Sequence, residues 1–188
     1  MIKIFIFSLC LTPVAVLAYE AFTHTLGANP VQTVQFTTGD WTLRFLLITL
    51  CVSPAARLTG RSLWMKYRRM LGLFAFFYGC LHLLTWAVLD QSLDLKDMLK
   101  DVIKHKFITA GMASLALMIP LALTSTDAMV RRLGEYWGKL HRLVYISAAA
   151  GVIHYFWLVK KDHTKPLLYI AVLTLLLGYR ASRRLTAR

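Results

Sequence analysis

An all-α bundle of six membrane-crossing helices is the fold this sequence predicts, and three observations carry it. Of 188 residues, 57% are hydrophobic and the mean hydropathy is +0.56, against about 45–50% apolar residues in an ordinary soluble domain. The apolar residues gather into windows at about 2–19, 41–54, 70–89, 107–123, 137–159 and 167–179. Charges and Gly/Pro punctuation (Gly27, Asn29-Pro30, Gly60, Gly134, Pro166) fall between them.

Taken in order, the first window follows Lys3 and ends near Val16-Leu17-Ala18, a pattern that also fits a short signal peptide with a small-residue cleavage site. Cleavage would leave five spans. The second window carries Arg44 near its outer end and, like the sixth, is short of the roughly 17–25 residues of a span. The third starts at Arg68-Arg69 and stops at Asp90, and the fourth runs from Phe107 to Leu123. The fifth is bounded by Trp137 and Lys160, and the sixth stops at Arg180. No more than about twenty residues separate neighbouring windows, too few for a globular domain with its own core. One domain, 1–188, is expected, with no visible internal repeat.

The net charge of +13 does not signal a nucleic-acid partner, because the basic residues sit in short loops, where they set orientation. The segment 57–69 holds five basic residues and no acid, 131–142 holds four with Glu135, and the tail 180–188 holds four. The opposite loops carry Glu20 and Asp40, four Lys balanced by four Asp in 90–106, and a short 160–165 connection. The positive-inside rule then makes both termini cytoplasmic in a multi-pass protein. The five tryptophans, 41, 64, 86, 137 and 157, read as an interfacial belt. Three cysteines inside spans and no C-x-x-C-H exclude a disulfide framework and covalent heme attachment.

Three histidines, His82, His141 and His154, lie inside the apolar windows. An ionisable side chain at bilayer depth marks a functional site by default. Both the third and fifth helices run outward, which sets His82 about 12 Å and His154 about 9 Å from their outer ends at helical rise. His141 lies about 20 Å deeper. A single intramembrane histidine is satisfied by a hydrogen bond to a neighbouring helix or a buried water. Two at matched depth on different helices fit the axial ligands of one b-type heme. On one ideal helix His141 and His154 would stand some 140° apart, so sharing stacked hemes needs tilt, a bend near Gly151, or hemes on different sides. His24, His105 and His163 fall in loops or at helix ends and read as solvated.

These residues carry a resemblance. The run 68–73 leading to Leu81-His82-Leu83 resembles the third helix of the ferric-reductase-like transmembrane superfamily. Leu123-Thr124-Ser125-Thr126, Arg132-Leu133-Gly134, Trp137, the run 140–145 and the run 154–160, with Leu26 to Val31, resemble the heme-binding membrane subunits of bacterial periplasmic protein-methionine-sulfoxide reductase systems. The resemblance implies an inner-membrane b-type cytochrome. It would pass electrons from the quinone pool or a cytosolic flavin reductase to a soluble periplasmic molybdopterin enzyme, MsrP, with FMN as an associated cofactor. It also favours a retained first helix.

In the wider superfamily the third and fifth helices each carry two histidines, but Arg69 stands thirteen residues before His82. Either one heme binds through His82 and His154, or an inner heme at His141 has an unusual or missing ligand. Arg68 and Arg69 either set topology or meet a propionate or phosphate, and Arg44 either snorkels or meets a propionate or quinone oxygen. No phosphate-binding loop, nucleophile or general base is recognisable, so an electron-transfer subunit without its own turnover site is expected. The rival readings are a stand-alone ferric or quinone reductase and a heme-free polytopic protein.

Overall fold

A computed structural model describes residues 2–185, so Met1 and the end of the basic tail, through Arg188, lie outside the described residues. Those residues are helical, with no strand among them. Helix α1 spans Ile2–Phe22 and α2 Pro30–Thr59. A 3-10 segment, Ser62–Tyr67, leads into α3, Arg68–Thr85, which continues as a π-helical turn, Trp86–Asp90. There follow α4 (Leu95–Lys104), α5 (Lys106–Leu123), α6 (Asp127–Leu133), α7 (Glu135–Leu140), α8 (Leu143–Leu158) and α9 (Thr164–Leu185).

Among the described residues four segments are long and apolar enough to cross a membrane: Ile2–Phe22, Pro30–Thr59, Ser62–Asp90 and Lys106–Leu123. The fifth window is broken: α7 ends at Leu140, and α8 restarts at Leu143 with only 16 residues. This corrects the single helix over 137–159, and neither α8 nor α9 is among the four.

Helix α2 begins eleven residues before its window. Asn29 caps it by accepting from the Gln32 amide at 3.1 Å, Pro30 occupies the first turn, and Gly60 closes it at φ 68°. Its first turns are polar in sequence. Thr38 and Thr42 return their hydroxyls to the carbonyls of Val34 (2.8 Å) and Thr38 (2.9 Å), which makes them compatible with a helix that hydropathy misses. Trp41 therefore lies within α2 rather than at its end, against Phe45 and Tyr78.

The core forms where α2 packs on α3 and α5 packs on α8. Ala75, Ala148 and Ser147 are fully buried, so small side chains let backbones approach. Ser114 and Ser147 lock α5 to α8 by reciprocal bonds, each hydroxyl donating to the other's carbonyl at 2.8 and 2.9 Å. Helix α1 joins through Tyr78, whose hydroxyl donates to the Cys10 carbonyl at 2.9 Å and accepts from the Val14 amide at 3.2 Å. The phenol thus occupies one rung of the α1 ladder, beside Pro13, where the chain is already interrupted. Cys10 and Leu17 of α1 are buried in the bundle.

Candidate functional site

Helices α3 and α8 bring His82 and His154 together, with ring centres 6.0 Å apart and planes at 76°. Imidazole binds a transition metal at about 2.0 Å, so two rings on opposite sides of one metal have centres about 6 Å apart. Rotation about the shared axis leaves the interplanar angle free.

Each ring is oriented by a neighbouring helix. His82 Nδ1 donates to the Gln35 carbonyl at 2.9 Å, and His154 Nδ1 to the Phe107 carbonyl at 2.6 Å. That bond places the proton on Nδ1 and leaves Nε2 as a bare donor to a metal. In a helix the carbonyl of residue i lies beside residue i+4. Here those residues are Gly39 and Gly111, where a β-carbon would come 3.1 Å from His82 Cε1 and 2.8 Å from His154 Nδ1. Glycine uncovers the second lone pair of a carbonyl already engaged in its own ladder.

The two half-sites are copies. Gln35, Gly39, Gly79 and His82 recur as Phe107, Gly111, Gly151 and His154 at a constant offset of 72 residues. Leu115 lies against Gly79 and its counterpart Leu43 against Gly151, at 3.0 and 3.1 Å from a built β-carbon, so the halves interlock. This corrects the expectation of no internal repeat. Outside the glycines and histidines the two copies share few identities, which hides the repeat from a linear reading.

All four glycines and both histidines line one cavity of about 390 Å³, within the range of about 300–1,000 Å³ usual for cofactor sites. Its walls are apolar, from Leu43, Leu46, Leu115 and Met118, and its rim is polar, with Gln32, Asp40, Asp90, Asp101 and His105. Among the described residues neither Nε2 is engaged by a protein hydrogen bond. Opposed imidazoles with fixed tautomers, bordered by surfaces without β-carbons, fit a flat bis-histidine heme. His82 and His154 would hold it.

His141 sits elsewhere, at the turn between α7 and α8, so the break falls there and not near Gly151. Its ring stacks on Trp137 at 3.8 Å and its Nδ1 donates to the Trp137 carbonyl at 3.1 Å. Its Nε2 is buried with no hydrogen-bond partner among the described residues. The residue 72 positions earlier is Arg69, which pairs with Asp127 and donates to the Ser125 carbonyl. Arg68 donates to Ser53 Oγ at 3.3 Å. The space between these groups is only about 60 Å³. Arg68, Arg69 and His141 therefore share a second small pocket, apart from the His82–His154 cavity. The Arg69 guanidinium holds the exposed Asp127 carboxyl below its ordinary range.

Arg44 does not snorkel alone. It reaches Asp40 at 3.5 Å, donates to the Tyr169 hydroxyl at 3.3 Å and lies over the Trp41 ring. Asp40 also meets Lys165 at 3.7 Å. Of the three histidines read as solvated, His24 is exposed, but His105 lines the cavity rim beside Asp101, and His163 packs on Phe156 with Nδ1 buried and no partner among the described residues. Helix ends point inward when the connecting loops are short, a placement that residue type alone does not reveal.

Residues 38–152 match the family described as ferric reductase like transmembrane component. The chain is 47% identical to the protein-methionine-sulfoxide reductase heme-binding subunit MsrQ of Herminiimonas arsenicoxydans, over 94% of this chain and 83% of that protein. Identity to the MsrQ of Ralstonia nicotianae is 48%, over 95% and 84%, and to that of Xanthomonas oryzae 41%, over 99% and 88%. No solved structure matches the chain. With the transmembrane domain matched and near-full-length identity to several of its members, the chain belongs to the MsrQ family of heme-binding membrane subunits.

Proposed function

We propose that this chain is the b-type cytochrome subunit of an inner-membrane electron conduit, with both termini cytoplasmic and six spans in one domain. Electrons reach it from the quinone pool or a cytosolic flavin reductase and leave to the periplasmic molybdopterin enzyme MsrP, which repairs oxidised proteins. FMN enters this reading through the family resemblance alone. One observation carries the proposal: the His82 and His154 ring centres are 6.0 Å apart and each Nδ1 is tied to a backbone carbonyl, so both Nε2 atoms would be available to hold one heme iron. The relatives' name as heme-binding subunits supports the same group.

A heme held there supplies a one-electron carrier. The chain's own residues, His82 and His154, would both hold its iron, an arrangement that favours electron transfer over oxygen binding. They also fix the imidazoles before metal binds, exclude water with leucine and methionine walls, and keep carboxylates at the rim. His141, stacked on Trp137 at the opposite end, belongs to the inner part of the route.

A reduced-minus-oxidised spectrum with pyridine hemochrome quantification tests this. A b-type α band with about one heme per chain is expected. It should vanish in His82→Ala and His154→Ala and persist in His24→Ala. Heme content unchanged in all three, or no heme in folded protein made with ample heme, would overturn the assignment.

A further inference from the structure

Helix α4 joins the end of the π-helical turn after α3 to the start of α5, at the end of the bundle where the histidine cavity opens. Asp94 starts it by accepting from the amides of Lys96 and Asp97 at 2.9 and 3.2 Å. Met98, Asp101 and Val102 are half-buried and face the bundle, with Asp101 accepting from Gln91 Nε2 at 3.0 Å. Leu95, Leu99 and Ile103 recur every fourth residue on another face and are 72%, 65% and 83% exposed. At about 100° per residue, Lys96, Lys100 and Lys104 form a stripe along the flank of that face, on the side away from Met98 and Val102.

We propose that α4 is an interfacial helix. Its leucine and isoleucine stripe enters the acyl boundary of the adjoining leaflet, and its three lysines bind the phosphates of anionic phospholipid headgroups. Two further observations favour lipid as the occupant. Both neighbours of α4, Ser62–Asp90 and Lys106–Leu123, are long and apolar enough to cross a membrane, and the links between them and α4 are only a few residues long, so where both cross, α4 is held at the membrane face. The turn that precedes α4 also exposes apolar side chains, Val88 and Leu89. A strong apolar face with lysines along its flank is the composition of helices that lie in the headgroup plane. The seat has a consequence for the site: Asp101 and His105, on and just after α4, line the cavity rim, so the lipid contact of one face positions the other.

This inference rests on the chain crossing a membrane, and the test separates the two. Spin labels are placed at Leu99→Cys or Lys100→Cys in a Cys80→Ala background, in vesicles of phosphatidylcholine alone or mixed with phosphatidylglycerol. Native Cys80, exposed in mid-α3, serves as the control. Relaxation by oxygen should exceed that by a water-soluble nickel chelate several-fold at position 99, and the order should reverse at 100. Adding phosphatidylglycerol should slow motion at 99, and Lys96→Gln with Lys104→Gln should remove most of that response. If position 99 is more accessible to the nickel chelate, or closed to both reagents as at a protein contact, while Cys80 remains oxygen-accessible, the interfacial seat is wrong. A Cys80 label open to the chelate would instead refute membrane crossing. No response to phosphatidylglycerol would overturn the lysine contact.

Discussion

A β-carbon at Gly111 would lie 2.8 Å from Nδ1 of His154, closer than such contacts occur. The imidazole cannot retreat freely, because the same nitrogen is held by the Phe107 carbonyl at 2.6 Å. Gly111→Ala must therefore break that bond or swing the ring. We expect Gly111→Ala to lose most of its heme, or to keep it with one axial bond weakened and a partly high-spin spectrum. Gly39→Ala, whose β-carbon would meet His82 Cε1 at 3.1 Å, should show a milder loss. Full low-spin occupancy in both variants would show that the glycines do not position the ligands.

That His82 and His154 lie close together was legible because an ionisable group in an apolar window is conspicuous, and because depth can be counted along a helix. Gly39 and Gly111 were not legible, since a glycine inside an apolar run signals nothing until the imidazole that needs the space is placed against it. The start of α2 was hidden by threonines and glutamines whose hydroxyls and amides are compatible with a helix. The 90–106 segment, read as a charge-balanced loop, contains α4, because its apolar residues are spaced for one helical face and never form a continuous run. The break at His141 and Arg142 lies in a stretch with no proline, so pattern alone carried the helix through it.

His141→Ala should leave heme content at its wild-type value, because His141 faces a pocket of about 60 Å³ shared with Arg68 and Arg69 and not the main cavity. Hemochrome quantification of the variant checks this. A fall to half the wild-type heme would mean that the inner pocket opens to hold a second group.

Tyr78→Phe removes the hydroxyl that occupies a rung of the α1 ladder. The Val14 amide and Cys10 carbonyl are four residues apart and can close on each other directly once the phenol is gone. The cost should therefore stay near the net value of one hydrogen bond, about 0.5–1.5 kcal/mol, read as a lowered thermal midpoint in detergent. A much larger loss would mean that α1 cannot re-form its ladder beside Pro13.

The Arg69–Asp127 pair links the start of α3 to α6 at the end opposite the cavity. Asp127 has a depressed pKa, so its contribution is complete above the ordinary carboxylate value of about 3.9 and is lost as pH falls through the depressed one. Because Asp127 is exposed, the effect is small and screened by salt. Asp127→Asn should lower the midpoint slightly at neutral pH and low salt. The difference should disappear at high salt and in strong acid. A difference that persists at high salt would point to a packing role instead.

Arg44 and Asp40 form a different kind of pair. Asp40 is only 13% exposed, and beyond Arg44 it has the Tyr155 hydroxyl as a hydrogen-bond partner and Lys165 as a more distant cation at 3.7 Å. Removing Arg44 leaves a largely buried carboxylate under-compensated, whereas removing both charges removes the demand itself. Arg44→Gln should therefore destabilise by about 1–3 kcal/mol, and Asp40→Asn with Arg44→Gln should recover part of that loss, giving a coupling of at least about 0.5 kcal/mol in a double-mutant cycle. Asp40 also lines the cavity rim, so Asp40→Asn removes a negative charge beside a bound heme and should raise its midpoint potential. Additive stabilities and an unshifted potential together would place the pair outside the site's electrostatics.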